Sequence, residues 1–149
     1  MNDKTTTGVH WSFWVIGAFA LLWNIGGSIN YFMQMDPEMV SAYRESERAI
    51  IIDRPAWATA GFATGVFGGA LACILLLLRR STAFYLFLAS LLGVIVTMVH
   101  TVSVDYDFSV GEMVVFVLMP LLVSAFLVWY SKYTERKGWL IKQQMFDLK

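Results

Sequence analysis

Few side chains in this sequence are equipped for chemistry, and their spacing limits what they can do. The two histidines, His10 and His100, and the single Cys73 form no CxxC pair and no Cys/His set with metal-ligand spacing. A lone cysteine also excludes an intramolecular disulfide. There is no nucleophile with a paired base, no carboxylate pair inside an apolar stretch and no phosphate-binding glycine loop. The expectation is therefore a protein that is not an enzyme and carries no cofactor. What remains is a set of polar residues embedded in apolar runs. Gly17, Ala20, Asn24, Gly27 and Tyr31 recur at steps of three and four, as do Ser90, Gly93, Thr97 and His100, so each set lines one face of a helix. Polar groups within a membrane are costly unless partnered, which makes them functional candidates by default. Asn24, Asn30, Tyr31, Thr97, His100, Glu112 and Arg54 are the candidates for a pocket or pathway. Gln34, Thr59 and Asp105 could share its rim. Against this, Asn24 could serve only as an interhelical hydrogen bond, worth about 0.6 kcal/mol on average in membrane proteins. His100 could be a solvated histidine at the membrane surface.

The elements that must position these residues are membrane spans. Of 149 residues, 58% are hydrophobic and only 15% charged, well below the roughly one-quarter charged of soluble domains. A zero formal net charge gives no reason to expect a nucleic-acid partner; the partner is the lipid bilayer. About 20 apolar residues cross the hydrocarbon core, and four stretches meet that length: Val9 to Met33, Pro55 to Leu78, Ala83 to Val104 and Val110 to Tyr130. Lipid cannot hydrogen-bond backbone groups, so each stretch must be helical. The fold class is all-α, a single-domain four-helix membrane bundle over residues 1–149. No cleavage site follows a short apolar region near the N-terminus, so the first helix reads as retained.

Charge sets the orientation. Arg79 and Arg80, and the tail with Lys132, Arg136, Lys137, Lys142 and Lys149, are basic, whereas the third connection carries Asp105, Asp107 and Glu112. Basic ends face the cytoplasm, which places both termini inside and the 34–54 and 105–111 loops outside a bacterial inner membrane. On this topology His10 and His100 lie at opposite faces, about 30 Å apart, and cannot share a haem or a metal. In the longer outer loop Asp36 precedes Pro37, a cap followed by proline at the first helical position. Met39, Val40, Tyr43 and Ile50 then fall at helical spacing, which predicts one short amphipathic helix at the outer interface. The tail, residues 131–149, mixes Trp139, Leu140, Ile141, Met145 and Phe146 with basic residues and suits a cytoplasmic interfacial segment. Trp11, Trp14, Trp57, Trp129, Tyr130 and Tyr133 fall near span ends, as an aromatic belt requires.

Two backbone signals lie inside the spans. Gly61, Gly65 and Gly69, with Ala58, Ala72 and Cys73, form a small-residue face that lets helix backbones approach closely. It serves either the bundle's own core or a seam between copies. Pro120 removes a donor and releases the Phe116 carbonyl, which permits a kink.

The runs RPAW at Arg54 to Trp57, ATAGFATGVFGGALACILLLLRR through Arg80, LFLASLLGVIVTM at Leu86 to Met98 and WNIGGSINYFMQM at Trp23 to Met35 resemble a group of small four-span bacterial inner-membrane proteins of unestablished function. Members sometimes carry the label sugar transporter. The resemblance implies the same topology and no particular site residues. The sequence thus favours small-solute or ion permeation by a homo-oligomer, because a tightly packed four-helix bundle leaves little room for a pathway. The alternative is an accessory or scaffolding subunit that packs on a membrane protein partner. A lipid-binding module, with His100, Glu112 and Arg54 around a head group, ranks below both.

Overall fold

The computed structural model describes residues 8–142, which are all-helical apart from connections and one isolated backbone bridge. Among the described residues four helices are long and apolar enough to cross a membrane: α1 (Trp11–Met33), α4 (Ala56–Leu77), α5 (Ala83–Ser103) and a fourth, continuous over Val110–Arg136. The fourth consists of α6 (Val110–Met113), a π-helical turn (Val114–Leu118) and α7 (Met119–Arg136). Their outward faces carry large apolar side chains, among them Phe19, Leu22, Tyr85, Leu92, Val115 and Leu122, the inverse of a soluble bundle and the pattern of a multi-pass membrane protein.

In place of the single amphipathic helix predicted for the long loop there are two short ones, α2 (Pro37–Ser41) and α3 (Glu45–Ile51). Asp36 caps α2, accepting from the Glu38 N–H at 2.9 Å, with Pro37 in the first turn. Two hydrogen bonds accompany the break at 42–44. Tyr43 turns inward to donate to Asn30 Oδ1 at 3.3 Å, and α3 restarts with Glu47 accepting from the Arg44 N–H at 3.0 Å. Asp53, at φ 59°, then turns the chain into Arg54–Pro55 and α4.

α1 packs on α4, α4 on α5 and α5 on α7. The α4–α5 contact is a glycine seam. A Cβ on Gly93 would fall 2.6 Å from the Gly61 carbonyl oxygen and 2.7 Å from the Gly65 nitrogen, and one on Gly61 would fall 2.7 Å from Val96 Cγ1. Backbone thus rests on backbone, the contact that lipid favours through packing rather than exclusion of water. Ser90 Oγ donates to the Gly65 carbonyl at 2.6 Å across the same seam. The ladder read from the sequence therefore lies inside the chain.

One end of the bundle carries the 79–82 turn and the described parts of both termini (the terminal end); the other carries α2 and α3 (the loop end). The hydrophobic core fills the terminal half with Phe13, Ala20, Ala72, Cys73, Leu76, Phe87, Leu127 and Tyr130. The fourth helix runs six residues beyond the predicted Tyr130. Ser131 and Thr134 donate back to its own carbonyls, and Lys132 pairs with Glu135 at 2.8 Å. As far as Ile141 the tail packs against the chain itself. It folds under the bundle: Leu140 is buried, Arg79 Nε donates to the Trp139 carbonyl at 2.7 Å, and the Ile141 N–H donates to the Arg79 carbonyl at 2.6 Å. Met145, Phe146 and Lys149 lie outside the described residues.

Candidate functional site

The loop half of the bundle is hollow. A cavity of about 510 Å³ runs from Asn24 on α1 to Arg54 ahead of α4, within the size range of small-molecule sites. It lies inside one chain, so the pocket itself needs no second copy. Its back wall is Phe62, Gly65 and Val66 of α4 with Phe87, Ser90, Val94, Thr97 and Thr101 of α5. Its flanks are α1, through Leu22, Trp23, Gly27 and Asn30, and the fourth helix, through Val115, Phe116, Pro120 and Ser124. α3 roofs it with Glu47, Ile50 and Ile51. Between α1 and the fourth helix the bundle is not closed by packing, and Leu22, Trp23 and Val115 on the two borders are all exposed. The cavity therefore opens sideways, toward where lipid stands.

A π-helical turn borders this gap, with Val115 and Phe116 on the cavity wall. Pro120 has no N–H for an α-helical bond to Phe116, and the preceding turn widens instead, with the Met119 N–H reaching back to the Val114 carbonyl. Ser124 Oγ donates to the Pro120 carbonyl at 2.8 Å, satisfying an acceptor beside the disturbed turn.

Polar groups divide by depth. At the mouth a connected chain runs from Tyr43, which donates to Asn30 Oδ1, to Gln34, whose Nε2 donates to the same oxygen at 2.6 Å, and on to Arg54, which donates to Gln34 Oε1 at 2.8 Å. Arg54 Nε also donates to Thr59 at 3.3 Å, and the guanidinium lies 5.2 Å from the centre of the Phe62 ring. Among the described residues no carboxylate pairs with Arg54. Burial pulls its pKa below the ordinary arginine value, and Tyr31 only partly opposes this; the cation is half-buried among neutral partners. Tyr43 shifts the other way: burial, then the nearby Glu47 carboxylate, raise its phenol. Deeper in, the hydroxyls are spent on backbone carbonyls, with Thr97 donating to Gly93, Thr101 to Thr97 and Ser124 to Pro120 on their own helices and Ser90 to Gly65 across the seam. Asn24 donates to the Ala20 carbonyl at 2.9 Å and toward Cys73 Sγ at 3.7 Å, while its carbonyl lies over Gly69, leaving no room there for a Cβ.

Of the candidates read from the sequence, Asn24, Asn30, Thr97 and Arg54 line the cavity; Tyr31, His100 and Glu112 do not. Tyr31 packs among Phe32, Phe62 and Phe67 on the outer side of the α1–α4 contact. His100 is buried, with Nε2 at 3.0 Å from the Ile50 carbonyl and its ring edge-on to Trp57; it fastens the end of α3 to α5. Glu112 accepts from the Ser109 N–H and hydroxyl at 2.9 and 2.8 Å, a helix cap. His10 caps α1 at the opposite end and stacks on Trp139. Sequence spacing did not point to Tyr43, Glu47, Phe62 or Phe116 as wall residues. Tyr43 alone carried a signal, its place on the apolar stripe of the loop. No family model, curated protein or solved structure matches this chain.

Proposed function

We propose that this membrane protein binds a small amphiphilic solute in the loop half of its bundle, and that this cavity is the working site of solute permeation across, or extraction from, the membrane. The loop end faces outward from a bacterial inner membrane in this reading, because Arg79, Arg80, Lys132, Arg136 and Lys137 crowd the terminal end. The observation that carries the proposal is the cavity itself, polar at its mouth, apolar along its depth, and open sideways between α1 and the fourth helix. A sugar fits less well. The deep hydroxyls have already donated to backbone carbonyls, and a sugar left without matching donors and acceptors would lose affinity. The packed core beneath Phe87 and Leu127 makes the cavity a dead end, so passage to the other side requires that core to rearrange.

Native mass spectrometry of the protein extracted in mild detergent tests this. The expected result is a retained small molecule, lost when Val115→Trp, at the exposed border of the cavity, narrows it while the protein stays folded. A stable hetero-complex with no retained molecule would instead make the chain an accessory subunit.

A further inference from the structure

We infer that the ligand of this cavity is a long-chain amphiphile with an anionic head, carboxylate or phosphate, whose head is held by Arg54 and whose tail lies along the α1–fourth-helix gap. This rests on the binding role proposed above and adds the class of ligand. Three observations carry it. First, among the described residues Arg54 is the only cation on the cavity wall, and the only acid there, Glu47, has an oxygen occupied by the Arg44 N–H at the start of α3. Second, the guanidinium is already aimed. Nε is fixed by Thr59 and one terminal nitrogen by Gln34, while the other has no partner among the described residues. A charged nitrogen held in this way can donate to an oxyanion. Third, the space beyond it is mainly apolar, its hydroxyls already bonded to backbone carbonyls. From Gln34 to Asn24, ten residues of α1 at 1.5 Å each give a trough of about 15 Å, walled by Phe62, Val66, Val94 and Phe116. An acyl chain fills such a trough without requiring a hydrogen bond, and the sideways opening admits it from the bilayer without passage through water.

The full chain in nanodiscs of zwitterionic phosphatidylcholine provides the test, with radiolabelled palmitate, 1-palmitoyl lysophosphatidate and hexadecanol as probes and inorganic phosphate as competitor. The expected result is saturable binding of one acid per chain, at least about tenfold tighter than hexadecanol, since a hydrogen bond to a charged group is worth about that factor. Arg54→Gln should bring acid and alcohol level, and Arg54→Lys should keep part of the preference. Which acid binds tighter identifies the head as a free carboxylate or a lipid phosphate. Equal binding of acid and alcohol by the unaltered protein would overturn the anionic head but leave the cavity reading standing. Displacement of palmitate by inorganic phosphate alone would overturn the amphiphile. Absence of saturable binding for every probe would remove both. The acid–alcohol comparison needs no variant, so a variant that fails to fold does not decide it.

Discussion

Asn24 and Gly69 show how a single membrane residue depends on the space given to it. The Asn24 carbonyl occupies the volume that a Cβ on Gly69 would need, and Ser90 Oγ stands 3.0 Å from that same point. Gly69→Ala should therefore destabilise the protein by about 1–3 kcal/mol, the usual cost of overpacking. Asn24→Ala in the same chain should return part of the loss, read as a coupling in a double-mutant cycle of thermal unfolding in detergent. Gly26→Ala and Gly111→Ala, where a Cβ meets nothing, should change little. The polar spacing of α1 was legible in the sequence, but the partner of Asn24 was not, because it depends on how α1 and α4 rotate against each other. The same limit applies to His100, whose position near acidic residues gave no hint of the Ile50 carbonyl. Tyr43 offers a test by pH. Its phenol is raised, so the protonated form is the one the folded loop favours. The stabilisation is complete below the ordinary tyrosine range, near pH 10, and is lost as pH rises through the raised value. Subtracting the Tyr43→Phe ultraviolet titration should isolate this late phenol, and Glu47→Gln should shift it back toward the ordinary range.

The two helices that stop at the terminal end use the same device. After α4 the Arg80 N–H reaches the Leu75 carbonyl and the Arg79 N–H the Leu76 carbonyl; after α7 the Trp139 and Gly138 N–H groups repeat the pattern with Thr134 and Glu135. The pattern places one residue in the left-handed region, usually glycine. Gly138 fits at φ 72°, but Arg79 stands there at φ 60°, at a cost of about 1–2 kcal/mol for a residue with a Cβ. Its side chain offsets that cost by holding the Trp139 carbonyl. Arg79→Ala should lose the tether and keep the strain, and so lower the unfolding temperature more than Arg79→Gly, which loses the tether alone. Span positions were legible from length and apolarity. The extension past Tyr130 was not, because Ser131, Lys132 and Thr134 read as polar tail until their bonds to the helix are seen. Nor was the break at Tyr43, which is accompanied by a hydrogen bond to Asn30 on a distant element.

At the scale of the molecule, the four spans and the all-helical class followed from hydropathy, whereas the cavity did not. Apolar composition looks the same whether helices meet or stand apart, and of the π-helical turn that borders the cavity only Pro120 gave a sign. The orientation proposed from charge can be tested in intact cells with an impermeant maleimide on a Cys73→Ala background. Ser41→Cys should be labelled from outside, and Lys137→Cys only after the membrane is breached; the reverse pattern would invert the topology. The glycine seam also sets the mechanics. α4 and α5, joined by a short turn and in backbone contact through Gly61, Gly65 and Gly93, form a stiff spine. α1 and the fourth helix are two limbs hung from opposite sides of it, pinned together at the terminal end by Phe13, Tyr130, Trp139 and Leu140. The spacing of these two limbs at the loop end then sets the girth of whatever the cavity admits.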